Sequence, residues 1–362
     1  MCLVWFDKFV QRTFFLPLNA LLLTDGILSH RHQSRGLLRT ISSCVALSIQ
    51  DFSVQMHSNW MPGFLRKPLT MSSDESLSWA AHCFNWPACE YRKPDLIVSA
   101  GSETMLVNAV LAKRYQCDNV FIGGQNGVRA EWFNAVLTLG APILANAISL
   151  ILPPSRLTPD VVNDAYATYQ AAGGSHKGGC WAMIVGGDGG ACHYTDAEWR
   201  MLIDGMNQLA KTHKIKWLVV TTRLTSSSVQ ERLRQDLKPS YVESISAYGL
   251  GPDDPLPLLA ARAERIYCGV EHLPILFDSI ASGKPTLALL PELDRLNQRV
   301  HHLLKLLCQE RFLSVLKIEE LPFGRTARLA LPLSEMLLRK NTQLFSQMCR
   351  LCPSLADVSQ RY

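Results

Sequence analysis

The sequence contains no uninterrupted run of about 18 apolar residues, the length that a membrane-spanning helix requires. Charged residues make up only 19% of its 362 residues, and the net charge is +5. The charges are evenly distributed along the chain. Residues 1–150 contain 12 basic and 10 acidic side chains, and residues 151–362 contain 24 basic and 21 acidic ones. The lack of a basic domain or tail argues against nucleic acid as a partner. The 48% of apolar residues excludes global disorder, and the length of 362 residues predicts about two domains.

Several catalytic and metal-binding signatures are also absent. The chain has no GxSxG, HExxH, EF-hand or Walker pattern. Its 11 cysteines are odd in number, and most of them lie in or beside apolar runs. This usage favours reduced core cysteines in a cytosolic protein over a disulfide framework. Because the CxxC pair Cys349 and Cys352 has no second pair, we expect no zinc site, no other metal and no cofactor.

The chain does contain short apolar, β-branched runs that alternate with longer amphipathic stretches. This alternation is typical of βα units on a parallel sheet, and we predict an α/β fold. The predicted strands cover residues 20–24, 95–99, 119–122, 135–139, 181–185, 217–221, 265–268, 286–290 and 313–316. We expect residues 53–93, which are rich in Trp, Pro and Ser, to be irregular.

Two breaks divide the pattern into domains. Pro153 and Pro154 form the first, and the sequence AAGGSHKGG at 171–179 forms the second. Between them, Thr158 and Pro159 predict the start of a connecting helix. We therefore predict an apolar extension (1–18), an N-terminal α/β domain (19–152), a linker (153–179), a C-terminal α/β domain (180–330) and a C-terminal segment (331–362) whose helix stops at Pro353.

The apolar extension at residues 1–18 carries four polar side chains at helical spacing. It lacks the basic start and small-residue cleavage site of a secretory signal. Two interpretations stay open, an interfacial membrane helix and a packed extension. We therefore expect a cytoplasmic protein, either free or peripheral on the inner face of the cytoplasmic membrane.

The strongest local signal is a glycine loop after the predicted strand at 181–185. The loop consists of Gly186, Gly187, Asp188, Gly189 and Gly190. The sequence TDAE at 195–198 then forms a capping box that starts a helix. Glycine amides and a helix N-terminus favour a phosphate or pyrophosphate, and a tight turn is the alternative. The loop lacks the third glycine of a dinucleotide fingerprint, and no acid follows the next strand, which argues against NAD.

Two further strand ends in the same half carry polar side chains. Thr221, Thr222 and Arg223 end one strand, and a guanidinium group matches phosphate oxygens. For Arg223, a solvated surface position is the alternative.

Glu271 and Asp278 lie seven residues apart after another strand and can share one face of a helix. Either carboxylate can bind ribose hydroxyls, and a charge at a helix start is the alternative. We also count the neighbouring His272 among the donor-binding residues, with a packing or capping role rather than a catalytic one.

In the first half, Asp25 and His30 flank the first predicted strand–helix junction. Either side chain can act as a general base for an acceptor hydroxyl, and local loop bonding is the alternative. Glu103 opens a second helix after Gly101 and is a backup base.

Taken together, these junctions resemble the family named after the mitochondrial-fission ELM protein, whose bacterial members are regarded as glycosyltransferases of GT-B type. The matching stretches are LTDG (23–26) with His30, Gln33, Gly36 and Leu37, KPDLIVSAG (93–101), LTP (157–159), IVGGD (184–188) with His193 and Tyr194, TTR (221–223) and GKP (283–285). The chain departs from the family pattern at Ser102, Glu103, Leu224 and residues 270–272.

The resemblance implies a GT-B architecture, in which two Rossmann-like domains face each other across a cleft and the last helix packs back on the first domain. It implies a metal-independent glycosyltransferase with a nucleotide-sugar on the second domain and an acceptor on the first. In that mechanism the glycine loop and Arg223 hold the pyrophosphate, Glu271 or Asp278 binds ribose, and Asp25 or His30 deprotonates the acceptor.

The acceptor implied is a glycan or lipid-linked molecule of the cell envelope, such as a lipopolysaccharide core. Two other functions stay open: a non-catalytic interaction protein of the mitochondrial-fission type, and a nucleotide-sugar epimerase on the same fold.

Overall fold

The structure is a computed structural model. It describes residues 17–54, 92–124, 129–175, 179–188, 192–248, 254–291, 298–323 and 333–359. Residues 55–91 of the predicted irregular segment 53–93 and residues 1–16 of the apolar extension lie outside these residues, and Ser53, at the start of that segment, ends a strand. Among the helices within them, none is both long and apolar enough to cross a membrane.

The first half of the chain forms a six-stranded parallel sheet in the order β2-β1-β3-β4-β5-β6. Its strands are β1 (Leu18–Thr24), β2 (Leu47–Ser53), β3 (Leu96–Ala100), β4 (Asp118–Ile122), β5 (Ala135–Leu139) and β6 (Ala147–Leu150). Its helices are α1 (Leu28–Ser42) and α2 (Ser102–Tyr115). The connection α3 (Pro159–Ala171) then leads to the second half and begins where Thr158 and Pro159 predict it.

The second half forms another six-stranded parallel sheet, in the order β12-β11-β10-β7-β8-β9. Its strands are β7 (Cys180–Val185), β8 (Lys216–Thr221), β9 (Val242–Ala247), β10 (Ile266–Gly269), β11 (Thr286–Leu290) and β12 (Ser314–Lys317). Its helices are α4 (Asp196–His213), α5 (Ser227–Asp236), α6 (Leu256–Arg262), α7 (Leu273–Ala281) and α8 (Gln298–Gln309). The chain ends in α9 (Leu333–Leu351) and α10 (Pro353–Ser359).

The central strands are buried on both faces, as parallel sheets covered by helices require. Every residue of β3, β7, β10 and β11 is buried. Each sheet has an apolar core on either face. Because these strands are buried on both faces, their sequences are continuous apolar runs rather than alternating apolar and polar residues.

The last two helices pack on the first sheet, although they follow the second sheet in sequence. Phe345 and Met348 of α9 share a core with Leu22 of β1 and Val98 of β3. The α10 backbone amide of Ser354 also donates to an oxygen of Asp118 at 2.7 Å. The C-terminal helices therefore hold the two halves of the chain together.

Each sheet has one point where the strand order reverses. In the first sheet it lies between β1 and β3, and in the second between β7 and β10. Ligands of open α/β sheets bind beyond the carboxyl ends of the strands at such a point. The loops after these four strands are therefore where a functional site is expected.

Candidate functional site

An aspartate–histidine pair occupies the reversal point of the first sheet. Nδ1 of His30 lies 2.7 Å from Oδ2 of Asp25, and the other Asp25 oxygen accepts from the amide of Ile27 at 3.0 Å. The Asp25 side chain is 1% exposed and that of His30 is 30% exposed. An ionised carboxylate can only accept a hydrogen bond, so the ring proton of neutral His30 lies on Nδ1, facing Asp25. Nε2 is therefore the unprotonated, basic nitrogen of the ring. The pair therefore has the arrangement of a general base with an orienting carboxylate.

Gly101, at the end of β3, makes room for this pair. Its φ is +92°, and a Cβ atom there would lie 2.3 Å from Nδ1 of His30 and 2.6 Å from Oδ2 of Asp25. Glu103, the backup base, lies exposed in the first turn of α2. Within the described part of the chain, Asp25 rather than Glu103 is the carboxylate that His30 contacts.

Alanine at Gly101 is expected to displace the pair and to destabilise the protein by about 1–3 kcal/mol, because the added methyl clashes and the positive φ strains an L residue. Gly124→Ala is the control, since no atom lies within 4 Å of a Cβ at that position. Chemical unfolding of both variants measures the difference. Equal stability of the two variants would contradict the close approach described here.

The glycine loop after β7 surrounds a carboxyl group of the protein itself. The amides of Gly186 and Gly187 donate to Glu271, which follows β10. A Cβ at Gly186 would lie 1.7 Å from Oε1 of Glu271. The amides expected to hold a phosphate thus hold an internal carboxyl group at the reversal point of the second sheet. Gly189 and Gly190 lie outside the described residues.

Burial is the largest influence on the pKa of Glu271. It raises the pKa of this carboxyl to about 7, against the opposing effect of hydrogen bonds from the Tyr194 hydroxyl and from backbone amides. Burial and the adjacent Glu271 also raise the pKa of Tyr194. A ribose contact by Glu271 would require its carboxyl to leave the loop. Asp188 is exposed and accepts from the Tyr194 amide at 2.8 Å, so it closes the turn of the loop.

The hydroxyls at the end of β8 are engaged by backbone groups of the following turn and of β9. Oγ1 of Thr222 accepts from the amide of Leu224 at 3.2 Å, and Oγ1 of Thr221 donates to the carbonyl of Ser246 at 3.4 Å. Both threonines are buried, whereas Arg223, the residue that follows them, is exposed. Of Thr221, Thr222 and Arg223, only Arg223 is exposed and thus free to meet a ligand.

A polar cluster surrounds Tyr248, the residue after β9. The His272 ring packs edge-on against Tyr248 at 6.2 Å and caps α7 by accepting from the Ile275 amide at 3.4 Å. Burial, with the charge of Arg223, lowers the pKa of His272. Burial and Asp278 raise the pKa of Tyr248 to about 12, while Arg156 and Arg223 oppose them.

Asp278 lies where the two halves meet. One oxygen accepts from the Ser155 hydroxyl at 2.5 Å, and the other lies 3.6 Å from Nδ1 of His32 on α1. Ser29 of α1 and Pro274 of α7 line a small cavity beside this contact. The first turns of α1 and α7 therefore face each other, which brings the carboxyl ends of the two sheets to opposite sides of one cleft.

Sequence reasoning did not single out three of these residues: Tyr194 as a partner of Glu271, Tyr248 and Arg156. Tyr248 follows an edge strand that was not predicted, and Arg156 lies in a linker without any pattern. Tyr194 was noted only as part of the resemblance. Among the described residues, no group of three or more His, Cys, Asp or Glu side chains is placed to hold a metal ion.

Comparison with known proteins agrees with this architecture. The chain is similar in fold to a candidate UDP-N-acetylglucosamine 2-epimerase from Listeria monocytogenes, with 8% identity, 91% of this chain and 96% of that chain covered, and a TM-score of 0.50. It is also similar to the ADP-heptose lipopolysaccharide heptosyltransferase II of E. coli (11% identity, 92% and 99% covered, TM-score 0.44) and to MurG of Acinetobacter baumannii (13% identity, 96% and 95% covered, TM-score 0.40).

No curated protein with a similar sequence was found. The sequence profile of the family described as mitochondrial fission ELM1, in contrast, matches residues 29–337. That span begins in α1, after β1, and includes every other strand of the two sheets and the start of α9. The fold is of GT-B type, two Rossmann-like domains facing across a cleft, and the chain belongs to the mitochondrial fission ELM1 family.

Proposed function

We propose that this protein is a metal-independent glycosyltransferase, which moves a sugar from a nucleotide-sugar to a glycan or glycolipid of the cell envelope. The observation that carries the proposal is the Asp25–His30 pair at the reversal point of the first sheet, and the exposed Arg223 after β8 of the second sheet supports it. Sugar transfer requires a base for the acceptor hydroxyl and positive charge for the leaving diphosphate. The two edges of the cleft each supply one of these requirements.

In the proposed reaction, Nε2 of His30 takes the proton of the acceptor hydroxyl while Asp25 holds the ring and stabilises the imidazolium. The acceptor oxygen forms a bond to the anomeric carbon of the sugar, and the bond from that carbon to the donor phosphate oxygen breaks. The leaving nucleoside diphosphate carries the developing negative charge. Arg223 and the N-terminus of α7 stabilise that charge, so a metal ion is not required.

We assign the acceptor to the first domain because the base lies there. The apolar residues 1–18, of which 1–16 lie outside the described residues, would bring the protein to the inner face of the cytoplasmic membrane. The acceptor would then be a lipid-linked molecule such as a lipopolysaccharide core.

Nucleoside diphosphates are expected to stabilise the protein against unfolding. A ligand at about 100 times its dissociation constant adds about 2.7 kcal/mol. We expect that shift with one family among UDP, GDP and ADP, and a much smaller shift with Arg223→Gln at the same ligand concentration. Arg234→Gln is the control, because Arg234 is exposed and pairs with Glu231 of its own helix α5 at 3.5 Å.

The measurement is thermal unfolding of all three proteins with and without each nucleotide. A nucleotide shift that survives Arg223→Gln unchanged would remove Arg223 from the donor site. A well-folded wild type without any shift would favour the non-catalytic interaction protein.

A further inference from the structure

A cavity of about 690 Å³ lies between the two domains and is lined mostly by apolar side chains. On the first domain its walls are the carboxyl ends of β5 and β6, and on the second they are the first residue of α7 and one face of α8. The apolar lining includes Leu139, Leu150, Ile151, Leu273, Leu303 and Leu306. A concave site of this size and lining is typical of those that bind the apolar part of a small molecule.

The cavity lies at the same edge of the first sheet as His30. Leu139 ends β5, which lies two strands from β3, and Gly101 at the end of β3 approaches the His30 ring. Neighbouring strands lie about 4.8 Å apart, so this wall of the cavity begins roughly 10 Å from the base. On the second domain, Leu273 directly follows His272 at the start of α7. The cavity is therefore an extension of the cleft.

Helix α8 divides its leucines between the core and this cavity. Leu304 and Leu307 are buried in the core of the second domain. Leu303 and Leu306, on the neighbouring face, are half-buried and line the cavity. Apolar side chains left partly exposed in a concave surface are stabilised when a ligand removes them from water. The face of α8 that lines the cavity thus favours an apolar ligand.

The polar side chains that α8 presents here favour an anion. Arg299 and His302 are exposed and line the cavity, and Lys305 is exposed further along the same helix. The helix contains no Asp or Glu between Gln298 and Gln309, and none of the described residues that line the cavity is acidic. Cationic side chains beside an apolar cavity match an amphiphile that has an anionic head group and a hydrocarbon chain.

We propose that this cavity binds the hydrocarbon chain of an anionic amphiphile, whose head group is held by Arg299 and His302. The inference rests on the proposed function and specifies its acceptor, because the amphiphile is the lipid part of the acceptor molecule. Its sugar hydroxyl extends along the cleft to Nε2 of His30. The gap of roughly 10 Å between the cavity and the base leaves room for the accepting sugar.

Calorimetric titration with hexyl, octyl and decyl phosphate, each below its micelle concentration, tests the inference without any donor. Each added methylene is expected to tighten binding by up to about fourfold, because removal of a methylene group from water contributes that factor. Decyl maltoside carries no charge and is expected to bind about tenfold more weakly than decyl phosphate, since it lacks the charged hydrogen bonds.

Two variants test the position of the chain. Ala141→Trp fills the cavity from the first domain, and Leu306→Gln makes the α8 wall polar. Each is expected to weaken binding of decyl phosphate by about tenfold or more. Ala167→Trp is the control for the first, because Ala167 is exposed on α3. Leu338→Gln is the control for the second, because Leu338 is 67% exposed on α9. Circular dichroism and thermal unfolding verify the folding of all four variants.

A double variant tests the position of the head group. Arg299→Gln combined with His302→Gln is expected to bring decyl phosphate within about threefold of decyl maltoside, because the charged hydrogen bonds are lost. Arg234→Gln, on the surface of α5, should leave the difference between the two ligands unchanged.

The inference is overturned if binding does not depend on chain length, or if folded Ala141→Trp and Leu306→Gln both bind decyl phosphate within twofold of wild type. Equal binding of phosphatidylglycerol vesicles by wild type and Ala141→Trp, without binding of decyl phosphate, would indicate a membrane-contact face and overturn it too. Sugar transfer to a lipid-free glycan as fast as to the glycolipid would overturn this inference alone. Chain-dependent binding that Ala141→Trp abolishes, in a protein that binds no nucleotide, would retain the lipid site and overturn the proposed function.

Discussion

Asp25→Asn is expected to lower the rate of sugar transfer by about 10²–10⁴-fold, the contribution of a positioned general base. The asparagine amide can donate to Nδ1 of His30, which moves the ring proton to Nε2 and removes the basic nitrogen from the acceptor. The Asp25 side chain is almost fully buried, so solvent cannot replace its hydrogen bond. Release of nucleoside diphosphate from the donor in the presence of acceptor measures the loss.

Binding of the donor should not change in this variant, because Asp25 lies on the acceptor side of the cleft. His30→Ala is expected to lose a similar factor, and the double variant little more, since the two side chains act as one unit. Asp204→Asn, at an exposed position of α4, is the control. A rate for Asp25→Asn within threefold of wild type would show that the pair is not the base.

Glu271→Gln is expected to abolish a pH dependence of stability that the wild type shows. The carboxyl has a pKa of about 7 in the folded protein against 4.5 as the reference value. The folded state therefore binds the proton more tightly than the unfolded state. The contribution of Glu271 to stability is therefore highest below pH 4.5, falls as the pH rises from 4.5 to 7 and is level above that. The full loss amounts to roughly 3 kcal/mol.

Urea unfolding at several pH values between 4 and 8 measures this slope. Glutamine cannot ionise, so the variant should lack the fall attributable to Glu271. Glu231→Gln, on the surface of α5, should keep the wild-type slope. Parallel curves for wild type and Glu271→Gln would mean that the carboxyl is not desolvated in the glycine loop.

The central strands could be predicted closely from the sequence because burial on both faces makes them apolar. The predicted ranges 135–139 and 286–290 agree with β5 and β11 residue for residue. Three observed strands, β2, β6 and β9, were not predicted, since they lie at sheet edges and carry exposed polar residues. The burial that gives a strand its sequence signal is weakest at an edge.

The residues of the candidate site also differ in how far the sequence predicts their contacts. Asp25 and His30 lie five residues apart around one helix start, so local spacing brings them together. The contact of Tyr194 with Glu271 spans 77 residues and depends on β7 and β10 being neighbours. The glycine loop was predicted to favour an anion, and in the structure a carboxyl group of the chain occupies its amides. A sequence pattern identifies such amides but does not say which acceptor they bind.

The most direct test of the account is transfer of labelled sugar. The purified protein would be incubated with a panel of nucleotide-sugars and a glycolipid extract of bacterial envelopes, and both the acceptor and the released nucleotide would be measured. We predict that one donor transfers its label to the extract with equimolar release of nucleoside diphosphate, and that Asp25→Asn loses this activity. An isomerised sugar still attached to its nucleotide, or no turnover of any donor by protein that binds nucleotide, would contradict the assignment as a glycosyltransferase.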